Sequence, residues 1–240
     1  MERNLDSLRN DLKEFQIDLT EKQEKQFLEY YDLLVEWNSF MNLTTIIEFD
    51  EVLKKHFLDS VSLIKAVDLK EQKILDIGTG AGFPGIPLKI MFPELKITLL
   101  DSLNKRINFL NKVIETLGLT EITAIHGRAE DYAQQKDYRE KYDLVVSRAV
   151  SNLSTLSEYC LPYTKIGGSF ISYKSERLSE ELLTAEKAIS LFGGKVMNQI
   201  DFCLPNSEIF RNLLIIRKAK ETPNKYPRKA GLPAKEPILK

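Results

Sequence analysis

The stretch Asp76-Ile-Gly78-Thr-Gly80-Ala-Gly82-Phe-Pro-Gly85 decides how the chain folds. It follows Lys73-Ile-Leu-Asp-Ile77, a short apolar run that reads as a buried strand, and it opens a helix. Glycines meet two physical needs at such a junction. One is a tight strand-to-helix turn with positive φ, and the other is close approach of a ligand to bare backbone. Gly80-Ala-Gly82-Phe-Pro-Gly85 has the G-x-G-x-x-G spacing of a dinucleotide-binding turn. Asp101 stands roughly 20 residues further on, at the end of a second strand, where a ribose-binding acid belongs.

From this loop onward, strands and helices alternate. Leu95–Leu100, Glu121–Ile125, Tyr142–Val146 and Ser169–Tyr173 read as strands. Asn104–Leu117, Asn152–Tyr163 and Glu176–Leu191 read as helices, the first with Ile107, Leu110, Ile114 and Leu117 on one side. Alternation of this kind predicts parallel strands joined by right-handed crossovers. The ending differs. Lys195–Phe202 and Leu213–Arg217 are two strand-like runs joined by a turn at Pro205-Asn206, with no helix between them. That predicts an antiparallel hairpin at one edge of the sheet.

Residues 1–68 carry a different grammar and are expected to form a helical segment packed on the core. Thr20-Glu-Lys-Gln23 has the form of a capping box. Behind it Phe27, Tyr30, Tyr31, Leu34 and Trp37 recur at helical spacing and predict a core face. Asn42-Leu-Thr44 breaks the pattern with cap and turn residues, and an amphipathic stretch follows from Glu51 to Val67. The expected organisation is therefore a helical segment (1–68), an α/β domain (69–219) and a tail (220–240). The tail has Pro223, Pro227, Pro233 and Pro237, many charges and few large apolar residues, so it is expected to be extended or disordered in isolation.

Composition bounds the function. The chain has 240 residues, of which 43% are hydrophobic and 29% charged, as in a soluble globule. No apolar run approaches the roughly 20 residues that span a bilayer. The charged start, Met1 to Asp6, opens no secretory signal, so a cytoplasmic protein is expected. Cys160 and Cys203 form no C-x-x-C metal pair and suit a reducing compartment, and no metal site is expected. The net charge of −1 hides an asymmetry: Arg217–Lys240 carries eight Lys/Arg against two Asp/Glu. A basic tail on an acidic body points to contact with a polyanion, or to a solvated tail that keeps the chain soluble.

The loop leaves two adenosine-bearing ligands open, a nicotinamide dinucleotide and S-adenosylmethionine (SAM). Three features favour the second. Asp76 precedes the first glycine, where a carboxylate repels a pyrophosphate and suits an ammonium and a sulfonium. The terminal hairpin resembles the seventh-strand insertion of class I methyltransferases. No second catalytic domain follows to bind a hydride acceptor, as an NAD(P)-dependent oxidoreductase requires. Further candidates sit at strand ends, where ligands bind in open α/β sheets. Backbone amides near Ala129 and Glu130 could meet an adenine edge, or the acids could simply favour a helix N-terminus. Arg148 follows the apolar Val145-Val146, so it pairs with a buried carboxylate or contacts substrate or cofactor, and the site reading is favoured. Strand four ends without an Asn/Asp-Pro-Pro-Tyr element and without a cysteine to attack a pyrimidine C6.

Taken together, His56-Phe-Leu-Asp-Ser60, Asp76 to Pro87, Leu100-Asp-Ser-Leu-Asn-Lys-Arg-Ile-Asn-Phe-Leu110 and Ser147-Arg-Ala149 resemble the RsmG (GidB) family. Asn42-Leu-Thr44 and the run Asn212–Lys218 fit it too, and the resemblance extends from about residue 20 to the end. It implies a class I SAM-methyltransferase (Rossmann-like) sheet, mostly parallel with a terminal antiparallel hairpin. It also implies methylation of N7 of a guanine in 16S rRNA of the small ribosomal subunit. By the resemblance, Gly78, Phe83, Ala129, Glu130 and Arg148 fall on SAM-binding positions. Gly80 joins them from the loop and Asp101 from its strand end. Lys174 stands where members carry a lysine, although Tyr173 and Ser175 depart from the usual Leu-Lys-Gly. For His56, a structural hydrogen bond and a substrate-facing role are equally open, whereas His126 is read as ending a strand. Lys54, Lys55 and His56, with Arg217, Lys218 and the cluster to Lys229, are candidates for phosphate contact. No catalytic base is expected, because guanine N7 carries no proton. The protein is expected to be a monomer with no protein partner and no membrane contact. A SAM-binding assembly factor that does not transfer methyl would share every one of these binding motifs.

Overall fold

The structure, a computed structural model, describes residues 3–148, 151–174 and 178–239. Seven strands form one sheet: β1 (Lys73–Ile77), β2 (Lys96–Asp101), β3 (Ile122–His126), β4 (Tyr142–Ser147), β5 (Thr164–Lys174), β6 (Gly194–Cys203) and β7 (Phe210–Lys218). Their order is β3-β2-β1-β4-β5-β7-β6. The first five run parallel, and β7 enters antiparallel between β5 and β6. The order reverses between β1 and β4, which opens a crevice at the carboxyl ends of those strands.

Successive strand residues point to opposite faces, and two cores result. Ile74, Leu144, Val146, Ile171 and Leu213 join one core, whereas Leu75, Val145, Phe170 and Leu214 join the other. Helices 85–91 and 104–116 and the N-terminal segment cover the first face. Helices 153–160 and 178–191 cover the second.

The N-terminal segment holds α1 (Asp6–Glu14) and α2 (Glu21–Met41). The capping box forms, with Thr20 accepting from the Gln23 amide. Phe27, Tyr30 and Leu34 are buried, so the aromatic stripe of α2 is a core face. Two side-chain amides of α2 reach across to helices that cover the sheet. Gln23 Nε2 donates to Ile90 O (3.0 Å) and Gln26 Nε2 to Leu117 O (2.9 Å). These are carbonyls at the C-terminal ends of helices 85–91 and 104–116, which have no partner within their own helix. After α2 comes a helical run of α-helix (Phe49–Val52), π-helix (Leu53–Leu58), α-helix (Asp59–Val61) and 3₁₀ turn (Ser62–Lys65). The sequence shows one amphipathic stretch there. The π-helical widening, a feature common at functional sites, is invisible to the apolar pattern.

The tail, expected to be extended or disordered in isolation, is held by the body of the protein. Prolines deny it ladder hydrogen bonds, and side chains of the body supply them instead. Arg139 donates to the carbonyls of Thr222 (2.7 Å) and Tyr226 (2.9 Å), Gln134 to Pro227, and Thr155 to Pro233. Arg228 forms a bidentate pair with Glu158, whose side chain is 1% exposed, and a short helix, Leu232–Lys235, follows. Lys218 is likewise consumed by the fold. It is 1% exposed, donates to Leu161 O at 2.6 Å and pairs with Glu140, so it is not available to a phosphate. Removing Arg228 strands the buried Glu158 carboxylate. Arg228→Ala is expected to destabilise the protein by about 3 kcal/mol in denaturant unfolding. Glu158→Gln in the same chain should recover part of that loss.

Candidate active site

A cavity of about 1040 Å³ opens at the carboxyl ends of β1 to β4. That volume exceeds what one small ligand fills and leaves room for a second. Its floor is the glycine loop, and the four glycines of the loop do different things. Gly78 and Gly80 have positive φ (69° and 61°) and line the cavity. A Cβ on Gly80 would meet only Gly78 O, at 4.0 Å, so bare backbone faces open space there. Gly82 and Gly85 serve packing. A Cβ on Gly82 would lie 2.5 Å from Ile86 Cδ1, and one on Gly85 would lie 2.2 Å from Leu99 Cδ2.

Side chains on both sides fix the loop. Asp76 is wholly buried, and its Oδ2 accepts from Thr79 Oγ1 (2.7 Å) and the Gly85 amide (2.9 Å). Burial pushes its carboxyl up to about 6, against these two bonds and the Arg148 charge. Asp76 does not line the cavity. Its Oδ2 organises the turn from below, and its buried Oδ1 has no partner among the described residues. From the other side, Tyr30 donates from its hydroxyl to Ala81 O, and its ring stacks near Phe57 and Phe83.

Asp101, at the end of β2, is 3% exposed and lines the cavity. Its Oδ2 accepts from Gly80 N (3.0 Å) and Arg106 Nη1 (3.1 Å), and its Oδ1 from Leu103 N (2.9 Å). Arg106 Nη1 also reaches Oδ1, at 3.5 Å, so both oxygens are engaged and a ribose hydroxyl would replace that long contact. Ala129 and Glu130 line the far wall. Tyr163 donates to Ala129 O, and the Gly231 amide of the tail donates to Glu130 Oε1 at 2.6 Å. This pins the turn that presents their backbone.

Arg148 lines the cavity and also pairs with a carboxylate, so both readings of it hold. Nη1 donates to Asp59 Oδ2 (2.8 Å) and Lys55 O (3.2 Å), and Nη2 donates to His56 Nδ1 (3.3 Å). Asp59 is buried and also accepts from Arg211 Nε at 2.8 Å, so one carboxylate lies between two guanidiniums. His56 stacks on Phe83 with centroids 4.4 Å apart. Burial, with the Arg148 charge, depresses its imidazole to about 3, against a backbone contact with Lys55 that raises it. The structure thus unites His56, Phe83 and Arg148, and it adds Asp59 and Thr44, which the sequence marked only as members of motifs, and Arg211, which it did not mark. Arg128, exposed, and Arg106 also line the cavity.

The other expected residues divide. Lys55 lines the cavity and pairs with Glu51. Lys174 lines it too, 2.6 Å from Glu181 and donating to Ser151 O at 2.9 Å. Lys54 turns away to Asp11 and Pro205 O, and Arg217 borders a smaller cavity elsewhere. Ala149 and Val150, which continue the strand-four motif, lie outside the described residues, as do Ser175 and Glu176.

Two measurements follow from this geometry. Gly80→Ala is expected to weaken ligand binding with a modest loss of stability, about 1 kcal/mol for a Cβ at positive φ. Gly85→Ala should instead lower the unfolding midpoint sharply, and titration calorimetry beside thermal unfolding separates the two. The chain has two histidines, so NMR resolves His56 readily. With its pKa depressed, folding gains stability from neutral His56 above the unfolded value of about 6.5 and loses it as pH falls. The His56 Cε1–H signal should keep its neutral shift down to about pH 4.

Comparison with known proteins agrees with this geometry. A family model described as rRNA small subunit methyltransferase G (GidB) matches residues 23–210. The chain is 56% identical to the ribosomal RNA small subunit methyltransferase G of Lachnoclostridium phytofermentans, over 95% of both chains. It is 54% identical to the protein of that name from Listeria monocytogenes, over 92% of this chain and 94% of that one. Among solved structures, TrmN from Thermus thermophilus shares the fold at 14% identity with a TM-score of 0.51, over 69% of this chain and 53% of the other. The sheet order, the cavity on its glycine loop and these relatives meet in one statement: the chain belongs to the GidB family of small-subunit rRNA methyltransferases.

Proposed function

We propose that the protein transfers the methyl of SAM to N7 of a guanine in 16S rRNA of the small ribosomal subunit. Family membership carries the coarser part: the chain is a SAM-dependent methyltransferase of small-subunit rRNA. One observation carries the site. The cavity has bare Gly78 and Gly80 backbone at its floor, Asp101 at the end of β2 and volume for a base beside the cofactor. Gly78, Gly80, Phe83, Asp101, Ala129, Glu130 and Arg148 would hold the cofactor. When bound, it supplies an electrophilic methyl on a sulfonium.

The residues orient and exclude water; they need not move a proton. The N7 lone pair lies in the ring plane and is already free, so alignment of the two reactants can supply most of the acceleration. The paired charges Arg148, Asp59 and Arg211 give a rigid wall, and neutral His56 stacked on Phe83 gives a flat apolar one. In A-form RNA N7 faces a deep narrow groove, so the target base would be splayed into the cavity from a loop. Lys55, Arg106 and Arg128 line the cavity and would meet the flanking phosphates, and Lys174 would do so by leaving its pair with Glu181. Lys218 is buried and Lys54 is paired with Asp11, whereas exposed Arg217 lies beside a second, smaller cavity. We take the protein to act as a cytoplasmic monomer. Among the described residues no helix is long and apolar enough to cross a membrane.

Small subunits lacking the modification, incubated with labelled SAM and digested to nucleosides, should yield labelled 7-methylguanosine. Label in a ribose or in an exocyclic amine contradicts the proposal. Lack of turnover with intact SAM binding would favour an assembly factor instead. No carboxylate of the cavity should act as a base. Asp59→Asn, Asp101→Asn, Glu130→Gln and Glu181→Gln should each leave kcat well within the loss of about 10⁴-fold that removal of a general base can cause.

A further inference from the structure

We propose that Thr44 selects guanine, through a hydroxyl held as an obligate donor toward O6 of the base that presents N7. The assignment rests on the guanine-N7 reading above. N7 cannot itself discriminate between the purines, because adenine and guanine both offer a lone pair there. Their neighbouring groups differ: guanine has the O6 acceptor and adenine the N6 amino donor. A site that chooses guanine needs a donor beside N7 that cannot turn into an acceptor.

A hydroxyl ordinarily does both, since it can rotate. At Thr44 the partners forbid it. The Arg148 guanidinium only donates, so His56 Nδ1, 3.3 Å from Nη2, must accept. A neutral imidazole that accepts at Nδ1 carries its proton on Nε2. Nε2 lies 2.9 Å from Thr44 Oγ1 and therefore donates to it. The Ile46 amide donates to the same oxygen at 3.1 Å. Both lone pairs of Oγ1 are now used, and the hydroxyl proton remains to be given away. Thr44 is partly exposed and lines the cavity with His56, Phe83 and Arg148. The polarity of Thr44 is thus set two residues away, by a guanidinium that Asp59 holds in place at 2.8 Å. An adenine here would set its amino group against an oxygen with no lone pair left and a proton of its own.

The experiment maps the acceptor guanine with the wild-type enzyme. It then compares small subunits carrying guanine there with subunits carrying 2-aminopurine, which keeps N7 and lacks O6. The wild-type enzyme should favour guanine by about tenfold or more in kcat/KM, the scale of one hydrogen bond lost at a desolvated site. Thr44→Val keeps the shape of the side chain and removes the hydroxyl. Its preference should fall toward one, through loss on guanine, with SAM affinity unchanged in calorimetry. Thr44→Ser should recover most of the preference, which a merely structural role in the turn does not explain. A Thr44→Val enzyme that keeps the wild-type preference overturns this assignment alone. A wild-type enzyme that leaves guanine N7 unmodified overturns the guanine-N7 reading, and the assignment with it.

Discussion

A run of glycine backbone has no side chains with which to fix its own shape. In this protein the loop after β1 is held from outside, by the Asp76 carboxylate below it and the Tyr30 hydroxyl above. Everything at the site follows from that clamp. The Gly80 amide keeps its bond to Asp101, Phe83 keeps its place under His56, and the cavity floor stays open. Tyr30 belongs to α2, whose glutamines also cap the ends of two sheet helices. The N-terminal segment therefore supports the cavity floor as well as the core.

Charge at the site is arranged by burial. Asp59 between Arg148 and Arg211 avoids the cost of an isolated buried ion, and the pairing fixes both guanidiniums in direction. A fixed guanidinium fixes the His56 tautomer, and burial keeps that ring neutral. The result is a wall whose donors and acceptors are determined before any substrate arrives. Such preorganisation is what a reaction without proton transfer asks of a protein.

The glycine loop, the alternation of strands and helices and the terminal hairpin were legible in the sequence, because each is a local pattern set by a period or a turn. The aromatic stripe of α2 was legible as a core face for the same reason. What lay hidden is long-range. Nothing in Asp76-Ile-Gly78 says that the carboxylate ties the turn through Thr79 and the Gly85 amide. No periodicity marks the π-helical turn that brings His56 and Asp59 to Arg148. Of the basic residues near the C-terminus, Lys218 is buried and Arg228 is paired to Glu158, while Arg217, Lys220, Lys225 and Lys229 stay exposed. A charge count does not see partners supplied from distant parts of the chain, such as Glu140 and Glu158. How the tail docks was hidden for a similar reason: its contacts come from donors on the body and not from its own composition.

The account depends on the clamped loop receiving a cationic methyl donor. The most direct measurement is titration calorimetry of the purified protein with SAM, S-adenosylhomocysteine and NADH in parallel. Saturable binding of the first two at one site, with no heat from NADH, is the expected result. Binding of NADH by a protein indifferent to both adenosyl compounds would contradict the account.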